Sequence, residues 1–182
     1  TDTTGESIGF AVRRIVAKIN GFTIGVSESA FSDPSAVPES IDLAGPRARI
    51  TVCDAGITQG QGRLSHDFFS QGDGGFKVIG SIEQAIPEIS FAADTEREFS
   101  YIPDFVVAPQ YVAGDQIEGD FVERWHLQLA SVFRSLAFET PDASVQDDFG
   151  WGTALSGAYR FSRNPSLEEL DRFVFSIVYG EG

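Results

Sequence analysis

The stretch from Phe149 to Phe161, FGWGTALSGAYRF, decides how the chain is read. Side chains alternate between the two faces of an extended strand. Thr153, Leu155, Gly157, Tyr159 and Phe161 therefore share one face, which is apolar and aromatic. Gly152, Ala154, Ser156, Ala158 and Arg160 share the other, which is small, polar and finally basic. In a soluble barrel or sandwich the apolar face is buried. In a membrane barrel it meets lipid, and the polar face lines a lumen. The alternation is common to both, so the rest of the chain must choose between them.

Similar ribbons flank this one. Glu6 to Ile19 reads as a strand that meets Asn20-Gly21, a strong hairpin signal. FTIGVSESAF follows, with Phe22, Ile24 and Val26 opposed to Thr23, Gly25 and Ser27. RARITVCDAGIT starts another strand that continues with irregularity to Phe69. GDGG at 72–75 reads as a turn. Phe76, Val78, Gly80 and Ile82 are then opposed to Lys77, Ile79, Ser81 and Glu83. PDFVVAPQYV reads as a strand, with Pro109 expected at an edge or a bulge, and AGDQIEGD as a turn. Trp125, Leu127, Leu129 and Phe133 oppose His126, Gln128, Ala130 and Arg134. The apolar parity then moves to Leu136 and Phe138, which suggests a bulge or a rim. FVFSIVY near the end alternates again.

Irregular stretches separate these ribbons. Three prolines mark a long loop over 32–46. Residues 86–102 read as irregular and acidic, and 140–148 as a polar acidic loop. RNPSLEELDR reads as a helical turn opened by a Ser166–Glu169 capping box. The expectation is about eight strands in hairpin order in one domain over 1–182, an all-β, antiparallel, up-and-down arrangement.

Composition narrows the function. The 182 residues carry 27 acidic and 13 basic side chains, a formal charge of −14. That argues against a nucleic-acid surface. No run of about 18 apolar residues exists, so no transmembrane helix is expected. Barrel strands of about 9–11 residues are unaffected by that absence. Cys53 stands alone and reads as a small apolar strand residue. The opening TDTTGES shows no signal-peptide pattern and reads as a mature product or a piece of something longer. Enzyme signatures fail. Ser65, His66 and Asp67 point to alternate faces, so they make no local triad. Gly60-Gln61-Gly62 lacks the third glycine and the helix of a dinucleotide fingerprint. Two histidines and one cysteine make no zinc set. Neither catalysis nor a cofactor is expected.

Three details favour lipid on the apolar side. The opposite face is rich in charged and polar side chains: Arg13, Lys77, His126, Gln128, Arg134, Arg160 and Arg172. A dry core would not hold these unpaired, although a wet exterior would. Aromatic residues also sit near strand ends: Phe31, Trp125, Phe138, Phe149, Trp151, Phe161 and Tyr179. Outer-membrane barrels carry such girdles at both interfaces. The connections also alternate between short ones, at Gly21, GDGG and AGDQIEGD, and long ones, at 32–46, 86–102 and 140–148.

GFTIGVSESAFSDPSAVPESIDLAGP resembles a stretch of the DcaP-like trimeric porins of Gram-negative outer membranes. IPDFVVAPQY, RWHLQLASVFRSLAFE, FGWGTALSGAYRF and VFSIVYGEG are similar to successive strands of that family, in the same order. The resemblance implies a transmembrane β-barrel in the bacterial outer membrane, closed as a homotrimer and passing small organic anions by diffusion. It implies more strands than this chain supplies, so the chain reads as a part of a larger barrel. Gly180-Glu181-Gly182 departs from the terminal aromatic strand common in such barrels, and DAGITQGQGRLSHDFF and the insert around ADTEREF depart from the family's pattern. On this reading the loop over 32–46 narrows the passage. The lumen cations are Arg49, Arg124, Arg134, Arg160 and Arg172, with Lys77 a further choice. The same side chains also fit solvated charges, or pairs with nearby acids. Two other readings stand beside this one: a soluble lipocalin-like barrel around a small apolar ligand, and a small outer-membrane barrel of about eight strands.

Overall fold

The computed structural model describes residues 14–36, 58–71, 74–85, 97–99, 102–117, 120–139, 145–161 and 172–181. Within them lie nine strands: β1 (Ile15–Ile19), β2 (Phe22–Glu28), β3 (Thr58–Gln71), β4 (Gly74–Glu83), β5 (Arg97–Phe99), β6 (Asp104–Ile117), β7 (Asp120–Glu139), β8 (Val145–Arg160) and β9 (Arg172–Glu181). The one helical element described is a 3-10 turn, Pro34–Ala36. The strands form one antiparallel sheet in the order β1-β2-β3-β4-β6-β7-β8-β9, with β5 paired to β7 off this path. The fold is therefore all-β and up-and-down, as the alternation predicts. Among the described residues the sheet is open, with β1 and β9 at its edges.

The first hairpin follows from its turn residues. Asn20 and Gly21 both have positive φ, 46° and 80°, the pair of angles that a two-residue hairpin turn demands. A side chain on Gly21 would meet the Ser65 carbonyl oxygen at 2.7 Å. That close approach lets the Ser65 backbone N–H and hydroxyl both donate to the Gly21 carbonyl, at 2.9 and 3.1 Å. The turn is thus pinned to β3. Gly25 in mid-strand has φ 139°, and a side chain there would meet the Ile15 carbonyl oxygen at 2.0 Å.

Several sequence expectations change. Pro109 lies in β6, an interior strand between β4 and β7. Its pairing with Val78 of β4 is intact, while the β6–β7 ladder skips from Val107↔Ser131 to Gln110↔Gln128. The missing proline N–H thus falls in a local gap on the β7 side, which is how an interior strand tolerates it. AGDQIEGD is largely strand: β6 runs to Ile117 and β7 starts at Asp120. Residues 97–99, expected to be irregular, form β5 and continue the line of β6 along the end of β7. β8 starts at Val145, inside the expected loop. No bulge follows Phe133, because β7 and β8 pair without a slip from Trp125↔Tyr159 to Glu139↔Val145. The slips lie elsewhere, at Asp67/Phe69 and at Ala113/Gly114. Residues 163–171 of the RNPSLEELDR turn and residues 37–46 of the long loop lie outside the described residues, and Arg172 begins β9.

Burial runs against hydrophobicity. The largest fully buried side chains are Gln128, Glu83, Val106, Asp104 and Ser156. The large apolar side chains are exposed, among them Ile24, Leu64, Val107, Leu127, Leu129, Leu155 and Ile177. The register places these on one face of the sheet. The small apolar cluster of Ala30, Ile79, Val106, Ala108, Ala130 and Val132, with Phe31 against it, lies on the other face.

Candidate functional site

The polar face is built by strand parity. β3 contributes Gln59, Gln61 and Arg63, β4 contributes Lys77, Ser81 and Glu83, and β6 contributes Asp104 and Gln110. His126, Gln128 and Arg134 project from β7, Ser156 and Arg160 from β8, and Arg172 from β9. Ala130, Ala154 and Ala158 lie between them and are buried. Their small side chains leave room for main chain to approach the sheet.

That main chain is the segment directly after β2, Ser29 to Ala36, held by two carboxylates. Glu83 is the first. It accepts from the Ser29 hydroxyl at 2.5 Å, the Ala30 N–H at 2.8 Å and the Ser81 hydroxyl at 2.6 Å. The Gln59 amide also donates to it. Asp33 is the second, and it runs the other way, from the segment to the sheet. Its carboxylate accepts from His126 Nε2 at 3.0 Å, from the Ser156 hydroxyl at 2.6 Å and from the Ser35 N–H at 3.1 Å. Burial alone would raise the Asp33 pKa. The hydrogen bonds from His126 and Ser156, the charge of His126 and the Ser35 N–H outweigh it, so the carboxyl sits below its ordinary value of 3.8. Between the two carboxylates, Gln128 donates to the Ala30 and Ser32 carbonyls at 3.4 Å and accepts from Gln110. The 3-10 turn rests against β8 and β9.

The expected cations fall in different places. Arg134 pairs with Asp104 at 2.8 Å, its side chain 38% exposed and that of Asp104 2%. Lys77, Arg160 and Arg172 are half-buried on the polar face, Arg160 directly across from Arg172. Arg124 sits at the register slip near the start of β7, pairs with Asp115 at 3.0 Å and lies 5.8 Å from the Tyr159 ring. Arg49 lies outside the described residues. Sequence reading missed Arg63, which donates to the Glu28 carbonyl at 2.6 Å and to Gln61 at 3.0 Å. It also missed Asp33, Glu83 and Asp104 as holders of the site. The alternation of Gln59, Gln61, Arg63 and Ser65 with Gly60, Gly62, Leu64 and His66 was the signal for β3. His66 is exposed on the apolar face against Phe68, while Ser65 points away to the Gly21 carbonyl.

The apolar face carries two rows of aromatic rings. Toward the short turns stand Phe69 and Phe76, Trp125 against Tyr159 at 4.2 Å, and Tyr159 against Phe161 at 4.9 Å. Toward the long connections stand Phe133 against Phe149 at 6.4 Å and Trp151 against Tyr179 at 5.6 Å. Leu127, Leu129, Leu155 and Ile177 fill the band between. Trp125 and Phe133 are eight residues apart, as are Trp151 and Tyr159, or about 27 Å along a strand. Phe31 joins neither row, because it packs with the buried cluster on the polar face. The Phe138 side chain is outside the described residues.

Among the described residues no group of His, Cys, Asp and Glu could hold a metal ion, and no helix is long and apolar enough to cross a membrane. The latter says nothing of a barrel, which crosses with strands. Comparison with protein-family models, curated proteins and solved structures found no match.

Proposed function

We propose that this chain forms the wall of an outer-membrane, porin-type channel through which small organic anions diffuse. The observation that carries the reading is the inversion of polarity across one sheet. Gln128, Glu83, Asp104 and Ser156 are buried, while a band of leucine, isoleucine and valine is exposed between two aromatic rows. Water gives no reason to expose such a band, whereas hydrocarbon does. With strands tilted by about 40°, the spacing of the rows becomes about 20 Å, near the roughly 25 Å apolar belt of membrane barrels. The polar, hydrogen-bonded face speaks against a soluble barrel that holds an apolar ligand.

The work of such a channel is electrostatic filtering, with no bond making. Arg63, Lys77, Arg134, Arg160 and Arg172 share the polar face and would compensate a carboxylate or phosphate solute for the water it sheds. The segment Ser29–Ala36 projects onto that face and narrows the passage. Trimeric assembly rests on the family resemblance alone. Planar-bilayer recording tests the function: a steady, anion-selective current is expected, and a cation-selective one overturns it. A protein that stays monodisperse in plain buffer, with no detergent or lipid, overturns the lipid-facing assignment itself.

A further inference from the structure

Resting on the lipid-facing reading above, we propose that Arg124 and Asp115 form a lipid-headgroup site on the outer side of the wall, just past the aromatic row at the short turns. The occupant is a phospholipid whose headgroup carries both a phosphate and a primary ammonium. Arg124 takes the phosphate and Asp115 the ammonium.

A bulge makes the site. Strict alternation from His126 and Gln128 would put Arg124 on the polar face, among the cations expected to line the lumen. The β6–β7 ladder passes instead from Ala113↔Trp125 to Gly114↔Glu123, so Arg124 is an extra residue in β7. An extra residue re-aims side chains and reverses the parity beyond it. Glu123 accordingly lies on the polar face, 3.9 Å from His126 Nδ1. Arg124 goes to the apolar side, where its Cζ lies 5.8 Å from the centre of the Tyr159 ring. That ring packs against Trp125 at 4.2 Å. Asp115, paired with Val122 and 3.0 Å from Arg124, shares this side.

Depth and charge together select the ligand. Trp125, Tyr159 and Phe161 belong to the row that marks one edge of the apolar band, and such rings sit at headgroup level. Arg124 is one residue nearer the turn than Trp125, up to about 3 Å farther from the hydrocarbon. Charges are costly inside a bilayer but meet lipid phosphates at this depth. The Arg124 side chain is 17% exposed, and Asp115 is its one hydrogen-bond partner among the described residues. Its buried Nε has no acceptor. The guanidinium thus keeps donors in the planar arrangement that phosphate oxygens match. Asp115 is 45% exposed and bonds Arg124 through Oδ2, which leaves Oδ1 to accept from an ammonium. A headgroup with negative charge alone meets repulsion from Asp115. One that carries both signs complements the pair.

Native mass spectrometry of the full chain tests the site, after refolding into lipid-free detergent micelles and addition of phosphatidylethanolamine or phosphatidylglycerol. The parent is expected to retain more phosphatidylethanolamine than phosphatidylglycerol. Arg124→Gln should lower retention of both about tenfold. Lys18→Gln removes a charge from the polar face of β1 and should leave retention unchanged. Asp115→Asn should reverse the preference, because it removes both the partner of the ammonium and the repulsion of the anionic lipid. Should Arg124→Gln fail to refold, that reversal decides alone. Equal retention of the two lipids by the parent, parent-like retention in Arg124→Gln or an unreversed preference in Asp115→Asn overturns the site and leaves the lipid-facing reading intact. Free phosphoethanolamine that displaces the lipid at equal concentration overturns the lipid as occupant. A chain that needs no detergent to stay monodisperse defeats the lipid-facing reading, and this site with it.

Discussion

At the middle of β7 and β8 the two faces of the sheet are one peptide apart and obey opposite rules. Leu129 is paired with Leu155 on one side, 45% and 37% exposed; Gln128 is paired with Ser156 on the other, 1% and 2% exposed. In a water-soluble sheet the leucines would be the covered pair. Here the cover is a segment of main chain drawn in by carboxylates and amides, so hydrogen bonding and not hydrophobicity decides what is buried. The lesson is that burial and apolarity are separate quantities, and that their divergence carries information about the solvent on each side.

The largest effect should come from placing a charge on the wrong face. Leu129→Arg is expected to cost about 2–4 kcal/mol of folding stability in lipid, read as a lowered urea midpoint in vesicles. Ser176→Arg, on the polar face of β9, should stay within about 1 kcal/mol of the parent. Equal losses from both would erase the distinction between the faces. Next comes the holder on the sheet. Glu83→Ala strips the acceptor from Ser29, Ala30, Gln59 and Ser81 and is expected to cost about 3 kcal/mol. Hydrogen exchange of the Ala30 amide should accelerate with it. An unchanged amide would mean that Glu83 does not hold the segment.

Asp33, the holder on the segment, should matter somewhat less, with Asp33→Asn costing about 1–2 kcal/mol. Its pH dependence has a definite sign. A carboxyl held below 3.8 contributes its docking stability in full above that value and loses it as pH falls through the lower folded value. His126 and Glu123 of β7, and Lys77 of β4, share its surroundings. Protection factors over 29–36, which correct for the intrinsic pH dependence of exchange, should therefore fall as pH drops below 3.8, a fall that Asp33→Asn abolishes. Arg134→Gln takes the cation from the Asp104 carboxylate, which is 2% exposed, and is expected to cost about 1–2 kcal/mol. It should still shift reversal potentials toward cations, since it removes a charge from the polar face.

Much of this was legible in the alternation. Each ribbon with a clean parity, such as Phe76–Glu83 or Trp125–Arg134, became a strand with its faces as read, because a period of two leaves little freedom once one face is apolar. The misreadings have local causes. AGDQIEGD looks like a turn because glycine and acids favour turns, yet a hairpin arm that extends into water can be polar on both faces. Pro109 looked like an edge residue because the gap in one ladder that accommodates it leaves no mark on composition. The site was legible only in part. Arg134 and Lys77 announce themselves by parity, but Glu83 binds Ser29 54 positions away, and no local pattern encodes that contact.

The distances spanned by the docked segment have a consequence for the order of folding. Every junction along the meander joins successive strands, apart from the short β5, so the sheet can grow one hairpin at a time. Asp33 reaches His126 and Ser156 across 93 and 123 positions of sequence. The segment can seat only after β7 and β8 are in place. Its seating marks completion: a half-assembled sheet leaves the segment undocked, and only a finished one draws it in.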